Sequence, residues 1–398
     1  MKKTVVLFLM LLVPYRVIMG DQHNQNRKSN SQNQKPNKLV ALVQIRNEAF
    51  VIEQALRALA FYIDEIAVLD DASDDNTVAI VESLAQELPI KIIMRNDLSA
   101  WQVTSEVENR QKLLDAGRAL GGTHFLLVDA DEILSANCLQ DDYLRKRIFN
   151  LVPGMILHMP CVNVWDGVTH YRDDKWCHPF DKYRWLKEIA FCDDGVCNYT
   201  KNVGYGGPAQ TIHVHRVPLN LKYTENEESK AVVNQYVTVP YLHYAPTFET
   251  GKRVVDNNTL QYTLIHYKYA NLDSLLVKKN WYMCLEFIAA QQQNFNTALN
   301  AELINGVYDK KEFECLEAKT EDMIVRPIRP EWIAYDFIDY SRFAVLYPKQ
   351  RDEIFKWFAF YGTDYFEGLH LHWSVLPGVR TQHLKMMAGV KKQKHNKG

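Results

Sequence analysis

Between Leu39 and Asp129 the chain repeats one pattern. The apolar runs LVALVQI (39–45), EIAVLD (65–70), PIKIIM (89–94) and HFLLVD (124–129) read as strands buried on both faces. Phe50, Ile52, Leu56 and Leu59, and then Val78, Val81, Leu84 and Leu88, recur between them at helical spacing. Residues 101–120 read as a longer helix, stopped by Gly121 and Gly122. Strands alternating with crossover helices make a parallel α/β sheet, and such sheets bind ligands beyond the carboxyl ends of their strands.

Those ends are acidic. Asp71 follows the second strand, and Asp129, Asp131 and Glu132 follow the fourth in HFLLVDADEIL. Converging carboxylates are costly unless a cation or a donor-rich ligand is shared among them. One reading places a divalent cation, Mg2+ or Mn2+, on Asp129 and Asp131, bridging the diphosphate of a nucleotide. The plainer reading is a solvated turn, with Asp at a helix N-cap and Glu in its first turn. In DDASDDNT, Asp71 suits a base N–H or a ribose hydroxyl, while Asp74 or Asp75 suits the cap of the next helix. At the end of the first strand, Arg46 suits phosphate and Glu48 a ribose; alternatively Asn47 caps the helix and Glu48 complements its dipole. Arg110 serves either as a phosphate clamp or in a surface ion pair.

The texture changes after Gly154. MILHMPCVNVW and the pieces up to VPYLHYAP read as shorter, more polar strands. Beyond Ala245 the chain turns helical, most clearly in LDSLLVKKNWYMCLEFIAAQQQ and PKQRDEIFKWFAFYG. At the N-terminus, Lys2 and Lys3 precede an apolar run from Thr4 to Val13, the layout of a signal peptide or a short anchor over 1–20. Residues 21–38 lack large apolar side chains and read as a disordered linker. The expected organisation is therefore 1–20, 21–38, a catalytic domain over 39–245 and a helical extension over 246–398. Composition supports a core of ample size: 398 residues, 47% hydrophobic and 24% charged. The net charge of −2 shows no basic field for nucleic acid. Cys192 and Cys197, in CDDGVC, could close a small disulfide loop if the chain is exported. The N-terminus points to the secretory pathway or to membrane association.

The motifs IRNEAFVIEQAL, VLDDASDDNT, ENRQKLLDAG and FLLVDADEIL, in this order, resemble those of family 2 glycosyltransferases. A fainter similarity runs through DKYRWLK, TIHVHRVP and YLHYAPTFETGKRVVDN. The resemblance implies an α/β fold of GT-A type: a mostly parallel, Rossmann-like sheet flanked by helices, with a helical C-terminal extension. It implies that Asp71 touches the nucleotide base and that Asp129 and Asp131 are the D-x-D acids, with Asp131 nearer the metal. A histidine from the later strands completes such sites. His213 or His215 fits here, although Val214 stands where relatives have Glu, and His243 is the next choice. The proton acceptor is expected at Asp173 or Asp174, with Asp166 and Glu188 as alternatives.

The expected function is metal-dependent transfer of a sugar from a nucleotide-diphosphate donor to a glycan, lipid or protein acceptor hydroxyl, with inversion. A dehydrogenase is disfavoured by the lack of G-x-G-x-x-G after the first strand, and a P-loop enzyme by the lack of G-K-[ST]. A nucleotidyltransferase would want a Gly-rich loop with Arg at the first strand. The alternative outside catalysis is an exported glycan-binding protein on a decayed transferase scaffold.

Overall fold

The computed structural model describes residues 36–376 apart from 97–104, 174–184, 200–215, 219, 239–250, 256–260, 293–300, 303, 306–322 and 346. The segment read as signal peptide or anchor lies outside these residues, as does most of the linker. No helix among the described residues is long and apolar enough to cross a membrane.

The alternating pattern at the N-terminus forms the expected units. β1 (Leu39–Ile45), β2 (Glu65–Asp70), β3 (Ile90–Arg95) and β4 (His124–Leu127) are joined through α1 (Ile52–Leu59), α2 (Thr77–Leu84) and α3 (Glu106–Ala119). They lie side by side in the order β4-β1-β2-β3, all parallel. β1 pairs on both edges, with Leu42 opposite Ala67 on one side and Leu127 on the other. That placement explains its unbroken apolar run, since neither face nor edge of LVALV meets water.

The sheet continues as a mixed one. After β5 (Glu132–Leu134), a 3-10 segment leads into α4 (Tyr143–Phe149), then β6 (Met155–Trp165), β7 (His170–Arg172) and β8 (Trp185–Cys192). β8 runs antiparallel between β4 and β6, and thereby joins the two halves. α5 (Glu227–Val233) and β9 (Val237–Thr238) precede β10 (Lys252–Val255) and β11 (Leu264–Tyr269), which both pair parallel to β6. β11 also pairs antiparallel with β5, setting His266 opposite Glu132. Strands beyond residue 245, β10 and β11 among them, are thus built into the sheet. The helical part follows: α6 (Leu272–Gln292), β12 (Val325–Pro327) at the far sheet edge, and α7 (Pro348–Tyr361). A separate aromatic core, including Trp281, Phe287, Trp357 and Phe358, joins α6 to α7.

Cys192 and Cys197 are separate buried thiols. Their loop is closed by hydrogen bonds instead of the disulfide considered above. Asp194 Oδ1 accepts from the Val196 and Cys197 amides, and Arg118 donates to both oxygens of Asp193.

Gly117 sets how deeply α3 seats on the sheet. A Cβ there would lie 2.6 Å from the Phe125 ring and 2.9 Å from Leu42. Helix propensity alone favours Gly117→Ala by about 1 kcal/mol. Overpacking against a buried ring costs about 1–3 kcal/mol. We expect the packing effect to prevail, so that Gly117→Ala lowers the denaturant midpoint; a raised midpoint would contradict this account of α3.

Candidate functional site

The carboxyl ends of β1, β2 and β4 open into a cavity of about 470 Å³. α6 closes it from the far side with Lys278, Lys279, Trp281 and Tyr282, and α7 contributes Gln350. Five of the expected site residues on β1, β2 and β4 line it: Arg46, Glu48, Asp71, Asp129 and Asp131. Arg110, on α3, lines it as well.

The three acids of VDADE have three different environments. Asp131 is followed by a strand, not by a helix, so the helix-cap reading of this turn does not hold. Glu132 is 1% exposed. Arg216 meets it with two nitrogens, at 2.8 and 3.1 Å, and Lys187 of β8 pairs with its other face. Burial pushes its carboxyl up, but Arg216 and Lys187 outweigh that and hold it well below the usual range. Asp131 is nearly as buried. Its Oδ2 accepts from Lys278 Nζ at 2.8 Å and lies 3.7 Å from His266 Nε2 and 3.4 Å from the Tyr347 hydroxyl. Here too burial is outweighed, by Lys278 and His266, and the carboxyl is held well below the usual range. Asp129 is the open one: its side chain is 47% exposed, with Arg216 3.7 Å away. The compensation required by clustered acids is thus largely supplied by the protein's own cations.

The first two strand ends are knitted together by short polar contacts. Asn47, in left-handed backbone at φ 55°, donates its amide to Ser73 Oγ and accepts from the Asp74 amide. It ties two loops and does not cap α1. Asp75 accepts from the Thr77 amide in an Asx-type turn just before α2, whose N-cap is Asn76 without a side-chain capping bond, so neither Asp74 nor Asp75 is the cap expected here. Asp71 accepts from Asn96 Nδ2 at 2.8 Å and lies 3.7 Å from Arg46. Arg46 itself is held by Glu353 of α7 at 2.7 Å and lies over the Trp281 ring. Arg110 pairs with Glu106 one turn earlier, in the cavity wall. Glu48 is the outlier: burial, reinforced by Asp131, Asp75 and Asp129 against the pull of Lys278, pushes its carboxyl up to about 8.

His266 Nδ1 lies 3.0 Å from Asn163 Oδ1, and burial, aided by Lys187, lowers the pKa of the ring against the pull of Asp131. Its Nε2 faces Asp131 Oδ2 at 3.7 Å. Among the described residues the one group of three whose potential ligand atoms lie within 4.8 Å of one another is Asp193, Asp194 and Cys197; Asp129, Asp131 and His266 are spaced more widely.

Other expected residues fall elsewhere. Asp173 ends β7, donates its amide to Ile324 O and pairs through its carboxylate with Arg326, away from the cavity lining. Glu188 is half-buried and paired with Arg253 at 2.8 Å, and Asp166 sits in a turn with its amide on Tyr269 O. Asp174, His213, His215 and His243 lie outside the described residues. Reading the sequence missed Lys187, Arg216, His266, Lys268, Lys278 and Lys279 in the wall. Two signals were present. His266 and Lys268 share one face of the apolar strand LIHYKY, and Lys278 and Lys279 interrupt an otherwise apolar helix.

With this geometry in view, residues 41–141 match Glycosyl transferase family 2. The matched residues span the parallel part of the sheet from β1 to the acids that follow β4. No curated protein matches the chain. Among solved structures it is similar to Staphylococcus aureus TarS 1-349, at 14% identity over 87% of this chain and 92% of that one, TM-score 0.34. It is also similar to the mannosyltransferase PcManGT of Pyrobaculum calidifontis, in complex with GDP-Man and Mn2+, at 12% identity over 82% and 90%, TM-score 0.35.

The contrast between neighbouring acids is testable. Glu132→Gln leaves Arg216 and Lys187 buried without their main partner and should cost about 3–5 kcal/mol of stability. Asp129→Asn, at a half-exposed carboxylate, should cost under about 1 kcal/mol. Urea unfolding of both variants at pH 7 checks the difference, and equal losses would contradict the assignment of Glu132 as a buried structural anion.

Proposed function

We propose that this cavity binds a nucleotide-diphosphate sugar and transfers the sugar to an acceptor hydroxyl, with inversion at the anomeric carbon. The observation that carries the reading is the charge of the wall. Seven Lys or Arg side chains and five Asp or Glu side chains line one cavity at the carboxyl ends of a parallel sheet. A chain of net charge −2 thus gathers an excess of cations where such folds bind ligands. A diphosphate is the ligand class that such a wall favours.

In this reading Asp71 accepts a hydrogen bond from the base, as its place at the end of β2 suggests. Arg110 and Arg216 face the diphosphate. Asp129, Asp131 and His266 hold a divalent cation, which, when bound, neutralises charge on the departing diphosphate. His266 takes the role first considered for His213, because its Nε2 already faces Asp131. For the proton acceptor, Asp174 is the member of the expected pair left to test, since Asp173 is engaged by Arg326.

The test is nucleoside diphosphate release from a panel of uridine, guanosine and thymidine diphosphate sugars with Mn2+ or Mg2+. Turnover with one nucleotide class is expected. Glycan binding without release from any donor would favour the exported binding protein instead. In the active pairing, Asp71→Ala should weaken nucleoside diphosphate binding roughly 10- to 100-fold, the loss typical of a hydrogen bond to a charged group. Calorimetry showing unchanged affinity would remove the base-contact role.

A further inference from the structure

Lys278 has no evident task in donor binding as described so far. It projects from α6 onto the carboxylate oxygen that also faces His266 Nε2. A divalent cation shared by that oxygen and the imidazole would lie about 2.0–2.1 Å from each. The Lys278 ammonium is only 2.8 Å from the same oxygen. Two cations so close repel strongly in a buried site, where the effective dielectric is far below that of water. The ammonium and the metal therefore contest Asp131.

A second position for the ammonium exists nearby. Glu48 faces the same cavity, and its Oε2 is buried with no hydrogen-bond partner. The Tyr347 ring lies alongside, with Nζ 5.0 Å from its centroid and 3.5 Å from its hydroxyl. A lysine stem is long and flexible enough to move from one carboxyl group to the other without shifting α6.

We propose that Lys278 is a resident counter-ion that occupies Asp131 until nucleotide arrives, so that the divalent cation binds with the diphosphate and not before it. The inference rests on the cation reading above. Without nucleotide, a metal entering the site adds two positive charges beside an ammonium that has only Glu48 to turn to. With nucleotide, the diphosphate supplies the negative charge that lets metal and ammonium coexist.

The experiment is Mn2+ titration followed by electron paramagnetic resonance. It compares wild type, Lys278→Met, Lys278→Gln and Lys278→Arg, each alone and with the nucleoside diphosphates UDP and GDP. In the absence of nucleotide, the Met and Gln variants should bind Mn2+ at least about tenfold more tightly than wild type, equivalent to about 1.4 kcal/mol. The Arg variant should behave as wild type. Metal-free Lys278→Met should melt below wild type, because Asp131 loses its partner, and Mn2+ should raise its midpoint more. Should the Met variant fail to fold, the Gln variant, which keeps a donor for Asp131, carries the comparison. Equal Mn2+ affinities in wild type and both neutral variants would overturn the inference. Absence of Mn2+ binding in every protein, even with nucleoside diphosphate, would instead overturn the cation reading on which it rests.

Discussion

The burial of Glu132 is the constraint around which the site is arranged. A lone carboxylate at that depth would cost several kcal/mol, and the fold meets this with two cations from different places in the chain. Lys187 comes from β8 and Arg216 from beyond it. β8 is also the strand that joins the parallel half of the sheet to the mixed half. Strand pairing and charge pairing therefore require each other: β8 seats Lys187 beneath Glu132, and Glu132 fixes where β8 can run. β11 adds a third tie, pairing with β5 so that His266 stands opposite the same acid.

This arrangement separates two uses of charge that look alike in VDADE. Glu132 is saturated and serves the architecture. Asp129 keeps about half its surface in solvent, and Asp131 is met by Lys278, with His266 and the Tyr347 hydroxyl close by. The proposed cation site draws on Asp129 and Asp131 and leaves Glu132 to the architecture.

Much of the fold could be read from local pattern, and the site only by halves. β1, β2 and β4 were visible as apolar runs because each is buried on both faces, and their acidic ends marked the ligand edge. The compensating cations were not visible, because Lys278 lies 147 residues from Asp131 and Arg216 lies 84 from Glu132. No periodicity links such pairs; only tertiary pairing brings them together. Asn47 was misread for a related reason. An Asn after a strand is a reasonable cap, yet its side chain bonds across to the Asp74 amide in the next loop. The resemblance to a known family supplied the idea of a late histidine but not its position. The proposal of His266 for that part rests on contacts to Asp131 and Asn163 from other parts of the chain, which its own segment does not reveal.

The helices after β11 follow from the same physics. A cavity with this many charges needs walls that exclude water without leaving polar groups unpaired. α6 brings lysines inward at one turn and packs Trp281 at the next, while α7 returns Glu353 to Arg46 at the end of β1. Arg46 is thereby turned from a candidate phosphate ligand into the link between the first strand and the last helix. That link has a consequence for the ligand. With Arg46 committed to Glu353 and Arg110 paired with Glu106, further cations, Lys268, Lys278 and Lys279, line the cavity from the side of α6 and β11. A diphosphate entering along the strand ends would therefore be drawn toward the helical wall, the side on which Lys278 meets Asp131.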